Sequence, residues 1–166
     1  MAEITLKGNP IHTLGNLPAV GELAPDAVLV KNDLSRVPLK DFHGTKLVLN
    51  IFPSINTSVC ATSVREFNKR AGGLENTKVL CISRDLPFAQ AQFCGAEGIE
   101  NVITLSDFAQ GDFGKKYHLE IIDGPFAALH SRVVIVVDEE GRIIYKEQVG
   151  EIGDEPDYDA ALEALK

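Results

Sequence analysis

The sequence predicts an α/β fold, a central mixed β-sheet with helices on both faces, and three observations predict it. Two nearly continuous apolar runs, Lys46 to Phe52 (KLVLNIF) and Val79 to Ser83 (VLCIS), are separated by a stretch of helical period. Two later runs, Arg132 to Asp138 (RVVIVVD) and Arg142 to Val149 (RIIYKEQV), are separated only by the turn Glu139-Glu140-Gly141. An amphipathic stretch, Asp157 to Leu165, then follows. Apolar runs of this length suit strands buried on both faces, and a short polar turn between two such runs suits an antiparallel hairpin.

The elements are expected in this order. Ile4 to Leu14 reads as two extended runs joined by Lys7-Gly8-Asn9-Pro10, an N-terminal β-hairpin. Val28 to Lys31 is a short strand, and a stretch ending at Phe42-His43-Gly44 leads to the first buried run. Pro53 ends that run. The next segment has Val59, Ser63 and Phe67 at helical spacing, with Gly72-Gly73 as its stop. After VLCIS, Asp85 is placed to cap a short helix, LPFAQAQFC, ending at Gly95. Val102 to Leu105 is a third strand, and a helical turn is expected near Phe113 to Tyr117. The hairpin and the final helix complete the order βαβ then ββα, which is the thioredoxin-like arrangement. Residues 1–166 are expected to form one such domain.

Composition removes several functions. The chain is 45% apolar and 24% charged, so a packed core is affordable and disorder is not indicated. A net charge of -8 makes nucleic acid and an anionic membrane surface poor partners. No apolar run reaches the roughly 18 residues of a membrane span, and residues 1–20 lack a basic start followed by an apolar block. A cytoplasmic protein is expected. The four histidines are scattered, no C-x-x-C or H-x-x-x-H spacing occurs, and the glycines form no nucleotide-binding pattern, so neither metal nor cofactor is expected.

Three cysteines remain. In the segment PSINTSVC, Cys60 lies just past a buried strand; if Thr57 is the cap, Cys60 is the third helical residue. Unpaired N–H groups and the positive helix end favour a thiolate there, the nucleophilic form. Ionisation alone explains little. A free cysteine is a few per cent ionised near neutral pH, so full ionisation gains at most ~30-fold. A lowered pKa also weakens the nucleophile, with a Brønsted slope of roughly 0.4–0.5. Chemistry at such a thiolate therefore depends on positioning and on groups that stabilise a leaving oxygen. The Thr57 hydroxyl, the Cys60 N–H and a cation could serve. Arg132 is the candidate cation: it opens an apolar strand where charge has no packing purpose, although an arginine at a strand edge is more often a solvated terminus.

At these residues the sequence resembles the peroxiredoxins. Pro53, Thr57 and Cys60 stand in their P-x-x-x-T-x-x-C pattern, and Arg132 stands where that family has its active-site arginine. The stretch Ser83 to Cys94, SRDLPFAQAQFC, is similar to the signature of a bacterial thiol peroxidase subfamily, as are FCGAEGIENVITLSDF and EPDYDAALEALK. The resemblance covers nearly the whole chain. It implies a peroxidase in which Cys60 attacks a hydroperoxide and becomes a sulfenic acid. Cys94 of the same chain would resolve it as a disulfide, and thioredoxin would reduce that disulfide. Hydrogen peroxide and organic hydroperoxides would be the substrates, with alkyl and lipid-like ones favoured, and a homodimer the assembly.

The chemistry of sulfur supports a second thiol, because a sulfenic acid over-oxidises unless a thiol condenses with it. Cys60 opens one helix and Cys94 ends another, so closing a bridge within the ~7 Å Cα limit requires local unwinding. Cys81, flanked by Leu80 and Ile82, reads as a small core hydrophobe. Phe52, Ile55 and Phe93 could form an apolar collar for a substrate tail, with core packing the simpler use of each. Two rivals stand beside the peroxidase. A disulfide oxidoreductase would need a second cysteine where Thr57 stands; a redox sensor would oxidise once and stop.

Overall fold

The alternation of apolar side chains along each run decides which face it covers, and the computed structural model, which describes residues 1–166, shows how. The strands are β1 (Glu3–Leu6), β2 (Asn9–His12), β3 (Val28–Val30), β4 (Arg36–Pro38), β5 (Lys46–Ile51), β6 (Thr77–Ser83), β7 (Ile103–Ser106), β8 (Val133–Val137) and β9 (Ile143–Gln148). The helices are α1 (Ser58–Ala71), α2 (Pro87–Glu97), α3 (Asp112–Lys116) and α4 (Tyr158–Glu163). Seven strands form one sheet in the order β4-β3-β7-β6-β5-β8-β9, and β1 and β2 form a separate hairpin. The β5–β6 and β6–β7 pairs are parallel and the β5–β8 pair antiparallel, so the sheet is mixed. Its centre, β6-β5-β8-β9 with α1 and α4, is the thioredoxin-like core.

Leu47, Leu49 and Ile51 of β5 face a core shared with Phe113 and Tyr117, whose rings stack 4.2 Å apart in and just after α3. Val48 and Phe52 face the opposite way, onto Val64 and Phe67 of α1 and Ala161 of α4. β8 is buried along its whole length, so it too packs against both layers. Helices therefore cover both faces.

Three local expectations change, and a turn not assigned from the sequence appears. The first hairpin turns on Lys7 and Gly8 alone, both at positive φ, and Asn9 and Pro10 already belong to β2. A 3-10 turn at Leu39–Phe42 precedes β5. Asp85 does not cap α2: Leu86 holds that position, and Pro87 starts the helix, where its missing N–H costs nothing. Gly95 does not stop α2 either. The helix runs to Glu97 and ends at Gly98, whose φ of 66° is the left-handed geometry of a helix terminus.

The β1–β2 hairpin docks on the loop after β9. Thr5 N–H donates to the Gly150 carbonyl at 2.8 Å, and Ile152 N–H donates to the Thr5 carbonyl at 2.9 Å. Ile4, Ile11, Ile121 and Ile152 fill the space between. Glu151 adds polar ties: its carboxylate accepts from Gly8 N–H at 2.8 Å, Thr5 Oγ1 at 2.9 Å and Gly153 N–H at 2.9 Å. These donors hold it far below the usual carboxylate range, at about 2. No helix is long and apolar enough to cross a membrane.

Candidate active site

The chain leaves β5 at the sheet centre and turns through Pro53, which is buried, into α1. Thr57 occupies the N-cap with extended backbone. The helical ladder begins with Ala61 N–H donating to the Thr57 carbonyl at 2.9 Å, so the N–H of Cys60 lies ahead of it. Cys60 is the third helical residue, as its spacing predicts, and is fully buried. The Thr57 hydroxyl differs from expectation. It does not cap α1 but donates to the Ser54 carbonyl at 3.0 Å, which leaves its lone pairs as the free part of the group.

Arg132 lies just ahead of β8, beside the start of α1. It is not a solvated terminus: only 2% of it is exposed. Its Nη2 donates to Cys60 Sγ at 3.3 Å, and its Nε donates to the Ile152 carbonyl at 2.8 Å. Nη1 is buried without a partner. A buried guanidinium N–H left unpaired is costly, so this donor marks a place for an acceptor that the protein itself does not supply. A cleft of about 220 Å³ opens here, lined by Leu6, Pro53, Thr57, Val59, Arg132 and Ile152 among others. A second cleft of about 310 Å³ adjoins it, and both include Leu6, Lys7 and Phe126. Phe52 and Ile55 line neither; both are core residues packed with Cys60, and Phe93 packs against the same cluster. The apolar collar is therefore Leu6, Val59, Phe126 and Ile152. Phe126 and the hairpin residues carried no signal in the sequence, since they reach the site only through tertiary docking.

All three cysteines are free thiols. Cys94 lies in the last half of α2, half-buried, with Sγ 3.8 Å from Thr104 Oγ1 of β7. Burial raises its pKa, and the Thr104 contact offsets only part of that. Cys81, in the middle of β6, is sealed beneath the helices that cover its face of the sheet, and burial pushes its thiol up to about 12. Its polar neighbour is Asn50, whose Nδ2 lies 3.7 Å from Sγ and also donates to Ser63 Oγ at 3.2 Å. No three His, Cys, Asp or Glu side chains converge as a metal site would require.

The Redoxin family model matches residues 19–162. A thiol peroxidase of Corynebacterium glutamicum is 54% identical over 165 residues, covering 99% of both chains. The crystal structure of a peroxiredoxin-like protein from Aquifex aeolicus superposes with a TM-score of 0.92 at 36% identity, covering 98% of this chain and 95% of that one. A thiol peroxidase from Chromobacterium violaceum gives a TM-score of 0.90 at 22% identity, over 98% and 94% of the two chains, and so speaks for the fold. The chain belongs to the redoxin family. Within it, the full-length identity makes it a thiol peroxidase, an oxidoreductase that acts on peroxides.

Proposed function

We propose that Cys60 is the peroxidatic residue and that the observation carrying this is the Arg132 guanidinium, with one N–H on Cys60 Sγ and another buried and unpaired beside it. In this reading the anionic sulfur attacks the nearer oxygen of a hydroperoxide along the O–O axis. The S–O bond forms as the O–O bond breaks, sulfur is oxidised to the sulfenate, which takes up a proton from solvent to become the sulfenic acid, and the peroxide is reduced. The departing alkoxide or hydroxide takes the peroxide's proton and leaves as alcohol or water. The free N–H of Arg132 and the N–H of Cys60 would donate to the oxygens as charge develops on them. Thr57, its own proton committed to Ser54, would accept the peroxide O–H and so orient it. Pro53 walls the cleft and keeps water from the sulfur.

Cys94 then resolves the sulfenic acid: its thiolate attacks Cys60 sulfur, hydroxide leaves as water, and an intrachain disulfide forms. The two sulfurs now sit against different partners, Arg132 and Thr104, so the first turn of α1, the later turns of α2, or both must unwind. Thioredoxin is the proposed reductant of that disulfide. Alkyl and lipid-like hydroperoxides are the proposed substrates, supported by the apolar walls of Leu6, Val59, Phe126 and Ile152. A cytoplasmic homodimer accords with the resemblance, and the half-exposed Leu86 and the exposed Phe88 offer apolar surface for a second copy.

The test is turnover of cumene hydroperoxide with thioredoxin and its reductase. Cys60→Ser should reduce it by at least about a thousandfold, as removal of a nucleophile does. Cys94→Ser should consume one equivalent of peroxide and then stop. Turnover by the Cys60 variant, or normal cycling by the Cys94 variant, would refute the assignment.

A further inference from the structure

Asp85 is the one carboxylate that joins the segment leading to Cys60 with the root of the helix carrying Cys94. Its Oδ1 accepts from Ser54 Oγ at 2.7 Å, and its Oδ2 accepts from the Ile55 N–H at 2.7 Å and from Ser83 Oγ at 2.6 Å. Ser54 and Ile55 belong to the loop between β5 and α1, whereas Ser83 ends β6. Asp85 itself stands two residues before α2, and its backbone carbonyl accepts from Ser106 Oγ at the end of β7. No cation pairs with it; neutral donors alone meet the charge, at the short distances of charge-assisted bonds. Three donors converging on one acceptor are hard to satisfy in any other way, since water would have to replace all three in a half-buried site.

From this we infer that Asp85 is a positioning residue that holds the peroxide-ready shape of the Cys60 loop and must release it before the disulfide can close. The inference rests on the assignment of Cys60 and Cys94 above. Its physical content is a trade between two steps. The tie fixes Ile55 and, two residues on, Thr57 at the mouth of α1, so it favours the first step, which needs Cys60, Thr57 and Arg132 in register. The same tie clamps the start of α1 to the approach to α2, so it opposes the unwinding that brings Cys94 to Cys60. Asp85 acts through other residues, and its loss is expected to move the two steps in opposite directions.

Asp85→Ala removes both side-chain acceptor oxygens at once and leaves the backbone carbonyl with Ser106. Asp85→Asn retains one oxygen for the Ile55 N–H and can turn its amide towards the Ser54 hydroxyl, so it serves as the conservative rescue. Ser54→Ala removes one tie of the three and leaves the backbone contact with Ile55. The two steps are separated by mixing each variant with a range of cumene hydroperoxide concentrations, quenching rapidly with an alkylating agent, and counting free thiols by mass. The peroxide-dependent rate reports oxidation of Cys60; the limiting rate at high peroxide reports closure of the disulfide. For Asp85→Ala, oxidation should slow by about tenfold or more, the scale of losing hydrogen bonds to a charged group. Closure should be faster than in the wild type. Asp85→Asn should recover most of the oxidation rate, and Ser54→Ala should show the same pattern at about two- to threefold. Should Asp85→Ala not fold, the last two variants decide. Equal slowing of both steps, or no change in either, would overturn the inference while Cys60→Ser and Cys94→Ser still behaved as expected. Failure of those two variants would instead remove the reading beneath it.

Discussion

Cys60 and Cys81 are buried to the same degree, lie on the same side of the sheet and pack in the same apolar cluster, yet their surroundings differ in kind. Cys60 meets the start of a helix and a guanidinium at 3.3 Å, and its neighbours Thr57, Val59 and Arg132 line a cleft. Cys81 lies mid-strand against hydrocarbon and one amide, and its thiol is pushed up to about 12. Burial by itself makes a cysteine inert; burial together with a donor of positive charge makes a site where sulfur chemistry is shielded from water. What separates the two thiols is therefore the polar groups delivered with each, and these come from distant parts of the chain.

Removing those groups should break the contrast, with the largest effect at Arg132. Arg132→Met keeps much of the side-chain volume and removes the charge; peroxide reduction should fall by about 10²–10³-fold, as when a transition-state donor is lost. Arg132→Lys should recover only part of this, because an ammonium cannot donate to sulfur and oxygen from one rigid fork. Steady-state kcat/KM checks both. The next effect is at Cys81. Cys81→Ala should lower stability by about 1 kcal/mol through the small cavity it leaves, with turnover unchanged. Thermal unfolding and the coupled assay measure the two, and lost activity in a stable variant would mean that Cys81 is not the inert member of the pair.

Two smaller, pH-dependent effects sharpen the comparison. Burial raises the pKa of Cys94, so its nucleophilic form at neutral pH is scarcer than for a free thiol. If Cys94 attacks from its place in α2, disulfide closure should keep accelerating above the ordinary cysteine value of about 8.5; if α2 unwinds first, the rate should level near it. Rapid-quench closure rates against pH distinguish these. At the hairpin, the hydrogen bonds from Gly153, Gly8 and Thr5 lower the pKa of Glu151 from its ordinary 4.5 to about 2. Its stabilising contribution is thus complete above the unfolded value and lost as pH falls through the folded one. Melting curves of the wild type and Glu151→Gln should accordingly converge as pH falls through that window.

The periodicity of the chain exposed most of the sheet. Val48 and Leu49 of β5, and the five apolar residues of β8, could be assigned to strands because alternation and continuity are local properties. Cys60 at the third position of α1 was also legible, since its distance from Pro53 and Thr57 is fixed by one turn. The pairing of Arg132 with Cys60 was readable only through the family pattern, because 72 positions separate them. Asp85 was misread as a cap for a physical reason. An aspartate two residues before a proline-started helix offers the right group to that helix, but stronger competition came from the Ile55 N–H and two serine hydroxyls. Gly95 and Gly98 present the same ambiguity, since either could end α2 and only the packed chain selects Gly98. The cleft walls from Leu6, Phe126 and Ile152 were invisible, being products of docking rather than of local pattern.

That docking also has a bearing on synthesis at the ribosome. The Arg132 guanidinium is steadied by the Ile152 carbonyl, and the strand containing Thr5 waits for Gly150 and Ile152 as partners. A nascent chain thus displays Cys60 long before the residues that orient its arginine have emerged. The surroundings of the Cys60 thiol are complete only when the first and last segments of the chain have met.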